Sequence, residues 1–140
     1  AVEKTITINA TPDKIWNLLK DPNHWHTWFE GASPAKSVQG SGDTGTIVDT
    51  AISVANIPLP TQIKVIEANP GVKWKGEFNG LGASGQQIWT YEGAGAATKV
   101  TFRIEAELAG PAKLVEGMII KSFDSMAEKT LNNVKAMAEA

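Results

Sequence analysis

The 140-residue chain contains no cysteine. Disulfides, thiolate zinc sites and iron–sulfur clusters are therefore excluded. It has two histidines, His24 and His26, and one tyrosine, Tyr91. No run of eighteen apolar residues occurs, so no membrane-spanning helix is expected. No basic stripe accompanies the net charge of −2, which argues against nucleic acid as a partner. The opening AVEKTITINA lacks the basic and apolar regions of a secretory signal, and a cytoplasmic protein is expected. Gly-x-Ser-x-Gly and HExxH spacings are also missing, so neither a nucleophile elbow nor a zinc-protease site is encoded.

What is present is ordinary globular composition, 42% hydrophobic and 20% charged. At this length one domain, 1–140, can bury a core without staples. VEKTITIN (2–9) alternates at its end and reads as a half-buried strand. Thr11 then suits a helix N-cap and Pro12 the first helical position, opening a short helix that stops near Asp21-Pro22. Pro22 opens a second short helix, about 22–29. Beyond Gly31, β-branched and aromatic segments alternate with turn residues. Strands are expected near 35–39, 45–54, 61–67, 72–78, 85–92 and 97–108, joined as hairpins in an antiparallel sheet. KVTFRIEAEL is the clearest, with an apolar and a charged face.

Gly110-Pro111 introduces a long helix, about 111–138. Val115, Ile119, Phe123, Met126, Thr130, Val134 and Met137 form its apolar stripe, which Ala127 and Leu131 widen. An α+β arrangement follows, in which a curved seven-stranded antiparallel sheet wraps around one long C-terminal helix, with two short helices after the first strand. Such a sheet cannot close tightly everywhere on one helix, so a cavity is expected between them.

Several segments resemble one family. They are ITINATPDKIWNLLKDPNHWHTW, the EANPGVKW strand junction, AATKVTF and the closing TLNNVKAMAE. Together they resemble the START-like or Bet v 1-like (SRPBCC) superfamily in its polyketide cyclase/dehydrase branch. The resemblance covers nearly the whole chain and implies a helix-grip fold with an internal pocket. Its members bind lipids, sterols, polyketides, quinones or plant hormones. Some are cyclases, aromatases or hydrolases, and others are regulators or co-chaperones. The signature belongs to a scaffold rather than to a chemistry.

The stretch DPNHWHTWFEG holds both histidines and two tryptophans. Histidines two apart on a helix diverge by about 200°, so no metal site is expected there, and Asp21 and Glu30, although near in sequence, do not fall into a triad that would mark either histidine as a catalytic base. The resemblance places this region beside the cavity mouth. It implies that Trp25 or Trp28 packs on the sheet and that Phe29 lines the pocket, with core packing as the alternative for each.

Alternation turns Val48, Thr50 and Ile52 inward, then Ile63 and Val65, then Trp74 and Phe78, and finally Phe102 and Ile104. IWTY admits two registers. We take the one that points Trp89 and Tyr91 inward, because the aromatics then form one surface against the helix. The long helix adds Ile119, Phe123 and Met126. Glu116, at the edge of the stripe, either complements the helix N-terminus or points into the pocket mouth. NIPLP (56–60) is either a stiff wide hairpin with a partly packed Leu59 or, as the resemblance implies, a gate over the pocket. The glycine-rich NGLGASG does not lead from a strand into a helix and is no phosphate loop.

The expected lining is thus apolar and aromatic, which suits binding of a small hydrophobic molecule such as a lipid, a quinone or a polycyclic compound, without a cofactor. The expected assembly is a monomer or a weak homodimer paired through a sheet edge. A cyclase/dehydratase-type enzyme is the alternative, with Tyr91, Thr50, Asp49 and Glu116 as proton-moving candidates. A co-chaperone-like interaction module is the third reading, for which a filled interior and an exposed apolar patch would speak.

Overall fold

The computed structural model describes residues 1–80 and 82–140. Strand β1 (Val2–Ile8) leads into helix α1 (Pro12–Leu19) and a 3-10 segment (Pro22–Thr27). Strands β2 (Ser37–Gln39), β3 (Ile47–Val54), β4 (Ile57–Asn69), β5 (Lys73–Gly80), β6 (Ala83–Ala94) and β7 (Ala97–Leu108) follow. A 3-10 turn (Gly110–Val115) precedes helix α2 (Glu116–Ala138). Every strand pairing is antiparallel, in the order β1-β7-β6-β5-β4-β3-β2. This is the helix-grip arrangement.

Local chemistry sets the elements. Thr11 caps α1, its hydroxyl accepting the Lys14 amide at 3.3 Å, and Pro12 loses no hydrogen bond at the first turn. Sheet curvature is assisted by a register shift in β4 between Val65 and Glu67, since a bulge bends its strand. Helix α2 packs chiefly along β1 and also touches β7 and β3. Its C-terminal end is fastened to β1: Lys135 Nζ donates to the Thr7 carbonyl at 2.9 Å, and the Asn9 amide donates to Glu139 at 2.8 Å.

The hairpin at 54–57 corrects the loop expected over NIPLP. β4 begins at Ile57, and Val54 pairs directly with Ile57 across Ala55-Asn56. Both turn residues have positive φ, 51° and 66°, the signature of a two-residue type I′ turn, whose twist matches that of the strands. Pro58 and Pro60 lie opposite Ser53 and Ala51. Alternation from the closing pair makes these non-hydrogen-bonded positions. β5 does not reach alongside them, because its pairing with β4 starts at Thr61–Gly80. The prolines therefore remove no ladder bond, and β4 is longer than the expected 61–67.

Two further boundaries differ. The strands run into NGLGASG rather than stopping before it, β5 ending at Gly80 and β6 starting at Ala83; Leu81 lies outside the described residues. The long helix begins at Glu116, not at 111, because the preceding turn is 3-10. Val115 consequently leaves the stripe and is exposed, with Leu114 and Met118 beside it in sequence. Ile119, Phe123, Met126, Ala127, Thr130, Leu131 and Val134 are buried.

Candidate functional site

Three packed segments surround the interior: α1, the 3-10 segment with Phe29, and the inner face of the sheet. In the 3-10 segment three residues make one turn. Pro22, Trp25 and Trp28 fall on one face and are buried, while His24 and His26 are exposed. His24 Nε2 sits 3.6 Å from an Asp21 carboxylate oxygen in a solvent-exposed pair. The Asn23 amide, donating to Asp21 at 3.0 Å, leads in holding that carboxyl below its ordinary value. Among the described residues no group of three His, Cys, Asp or Glu side chains is arranged to hold a metal.

The first cavity lies under α1 and the 3-10 segment. All five tryptophans of the chain line it: Trp16, Trp25, Trp28, Trp74 and Trp89. So do Phe29, the single tyrosine Tyr91, Ile63, Leu19, Lys20, Gly42 and Gln87. The rings meet edge to face. Trp16 meets Tyr91 at 5.7 Å and 67°, Trp25 meets Trp74 at 5.6 Å and 88°, and Trp28 meets Trp89 at 5.5 Å and 84°. These are favoured aromatic geometries. Trp74 extends over Gly76, where a Cβ would come within 2.6 Å of its ring; glycine there makes room for the indole.

The polar groups of this cavity are few. Trp25 Nε1 donates to the Leu19 carbonyl at 3.0 Å and so serves the end of α1. Trp28 Nε1 is buried and has no hydrogen-bond partner among the described residues. Burial, with no hydrogen bond contributing, pushes the Tyr91 hydroxyl far above its ordinary pKa of 10.0, so it stays a neutral phenol. Gln87 is 4% exposed and lines both this cavity and the next.

The second cavity lies between the far half of the sheet and α2, and is lined by Ile52, Leu59, Phe78, Ile104, Phe123 and Met126 together with Val54, Thr61, Gly80, Ala83 and Gln87. The third, bounded by Val48, Thr50, Ile52, Phe29, Ile63 and Trp25 among others, is smaller. The three volumes are about 30, 40 and 10 Å³, space for a few waters at most. The single roomy cavity expected from the sequence is thus divided: Gln87 stands between the first two, and Trp25, Phe29 and Ile63 between the first and third.

Of the residues expected to line a pocket, thirteen surround these spaces: Trp28, Phe29, Ile63, Trp74, Trp89 and Tyr91 the first, Ile52, Leu59, Phe78, Ile104, Phe123 and Met126 the second, and Val48 the third. Three do not. Phe102, wholly buried, lies behind the wall, stacked on Trp89 at 4.4 Å and 20°. Ile119 is buried in the core cluster. Glu116 is exposed at the start of α2, where its charge complements the helix N-terminus. Asp49 is also directed elsewhere, accepting hydrogen bonds from Ser37 and Gln62 at 3.0 and 3.1 Å. Trp16 and Gln87 were not anticipated. Trp16 is one of several apolar residues of the short helix α1, and nothing in that run says which of them faces a cavity, while stepping back two residues from Trp89 along β6 leads to Gln87.

Residues 1–139 match the family described as polyketide cyclase/dehydrase and lipid transport. The chain belongs to that family. No curated protein matches the sequence. Among solved structures, the ZhuI aromatase/cyclase from Streptomyces sp. R1128 superposes with a TM-score of 0.81 at 17% identity, covering 99% of this chain and 92% of that one. A START superfamily protein from Mycobacterium smegmatis gives 0.71 at 13% identity, with 99% and 96% covered. The Aha1 dimer from Colwellia psychrerythraea gives 0.68 at 15% identity, with 99% and 95% covered. At these identities the likeness is one of fold. No helix among the described residues is long and apolar enough to cross a membrane.

Proposed function

We propose that this protein binds a small hydrophobic molecule between its sheet and its helices, and that it does so without catalysing a reaction. The observation that carries this reading is the gathering of all five tryptophans and the single tyrosine around one cavity. A core needs apolar volume but does not need every tryptophan in one place. The acid/base equipment of an enzyme is not assembled with them: Glu116 is exposed, Asp49 is engaged with Ser37 and Gln62, and Tyr91 is held as a neutral phenol. General acid–base chemistry needs groups that titrate near the working pH. The cavities in this conformation are smaller than a typical ligand site, so binding merges them by moving the side chains that divide them.

Native mass spectrometry of gently purified protein, followed by extraction of whatever is bound, tests the proposal. A stoichiometric apolar molecule is expected. Repeated recovery of empty protein that also takes up no aromatic or lipid probe would overturn it. The interaction-module reading has support of its own in the divided interior and in Leu114, Val115 and Met118, which stand exposed at the start of α2. It would gain from that result.

A further inference from the structure

We infer that the turn leading into α2 is a contact surface for a second copy of this chain, and that the two copies pack antiparallel across Lys113, Leu114, Val115 and Glu116. This goes beyond the ligand-binding reading and does not depend on it. The 3-10 turn Gly110–Val115 buries none of its residues. Leu114 is 88% exposed, Met118 52% and Val115 43%. Single exposed apolar residues are ordinary, but three within five positions make a patch. Met118 lies four residues after Leu114 and three after Val115, so all three share one side of the chain as it enters α2.

Charge selects the occupant. Lys113 and Glu116 are three apart, which places them together on the flank of that patch. Both are exposed, and neither makes an ion pair among the described residues. The order is cation, apolar, apolar, anion, and the reverse order is its complement. A two-fold axis across the helix, between Leu114 and Val115, therefore sets Leu114 of each copy on Val115 of the other. The same axis sets Lys113 of each copy beside Glu116 of the other. One symmetry operation makes the apolar contact and both ion pairs, as an isologous interface requires. A bilayer fits less well, because Glu116 would enter its interface with the apolar residues and a negative lipid surface repels it. The sheet edges offer less: α2 lies along β1, and β2 has three residues.

Sedimentation equilibrium of the full chain at low salt, from about 10 µM to about 1 mM, covers the range of weak, transient contacts. The expected result is a monomer–dimer equilibrium that Leu114→Asp abolishes. Lys113→Glu and Glu116→Lys should each weaken the dimer at least ~10-fold, since each sets like charges together twice. Combining both reversals in one chain should restore it. So should an equimolar mixture of the two single variants, in which every charge again meets its opposite. Melting curves on dilute protein check that each variant folds. A monomer throughout overturns the inference, whether Leu114 then proves to bind phosphatidylglycerol vesicles or a different protein. A dimer that survives Leu114→Asp, or single reversals that the combined variant does not repair, also overturns it by placing the contact elsewhere.

Discussion

The wholly buried hydroxyl of Thr130, in the middle of α2, accepts the backbone amide of Glu30 at 3.1 Å across 100 residues of sequence. One turn later Asn133 Nδ2 donates to the Trp28 carbonyl at 3.1 Å. The C-terminal helix thus holds the segment that carries Trp28 and Phe29, and the cavity wall is only as firm as this attachment. Thr130→Val keeps the shape but leaves the Glu30 amide without its acceptor. It should cost about 1 kcal/mol in urea unfolding and speed amide hydrogen exchange at 28–30 more than elsewhere. Uniform exchange across the chain would mean that the wall is held by packing alone.

Tyr91 gives a pH prediction with a definite sign. Burial raises its pKa in the folded state above the ordinary 10.0. Its effect on stability is therefore flat below about pH 10. Stability falls above that, as the unfolded chain releases the phenolic proton that the folded protein keeps, by about 1.4 kcal/mol per pH unit until the folded phenol itself ionises. The chain has one tyrosine, so phenolate absorbance reports this group alone. It should stay absent in native protein at pH 10–11 and appear together with unfolding. Tyr91→Phe should remove this steep alkaline component.

Phe102 and Phe123 separate wall from core. Phe102 is fully buried, stacked on Trp89 and 6.1 Å from Phe29. Phe102→Ala should cost about 3–5 kcal/mol, the full loss for a core phenylalanine. Phe123 borders the second cavity and touches Phe78 edge-on at 6.4 Å. Its removal enlarges space that already exists, so Phe123→Ala should cost about 3 kcal/mol or less and widen the range of ligands accepted. Equal losses for the two would place Phe123 in the core.

The pattern of residues carried the architecture further than the site. Alternation in KVTFRIEAEL set the two faces of β7, because a strand has only two faces, whereas in IWTY it left two registers open and only the grouping of aromatics favoured the one in which Trp89 and Tyr91 are buried. The stripe on α2 failed at Val115, where three residues per turn replaced 3.6 and moved the side chain outward. The same change of period explains why Trp25 and Trp28 both turn inward. Strand alternation marked Phe102 as inward but could not say that Trp89 covers it, since burial depth depends on neighbours from other strands. Gln87 escaped notice because a polar residue in an apolar series reads as an exception until the space around it is seen.

The Ala55-Asn56 turn distinguishes a gate from a fixed hairpin. Ala55 holds φ at 51°, a left-handed conformation that costs a residue with a Cβ about 1 kcal/mol or more. Ala55→Gly removes that strain, while glycine's greater freedom in the unfolded chain offsets part of the gain. A net stabilisation of about 0.5 kcal/mol is expected. The functional consequence follows from the register. β4 is paired with β3 from Val54–Ile57 onward, so a more relaxed turn tightens the hairpin and leaves Leu59 opposite Ile52. Ligand exchange, measured by stopped-flow tryptophan fluorescence, should then be unchanged or slower. Faster exchange together with lower stability would show that 55–60 opens as a unit, and that the passage to the second cavity runs through this hairpin.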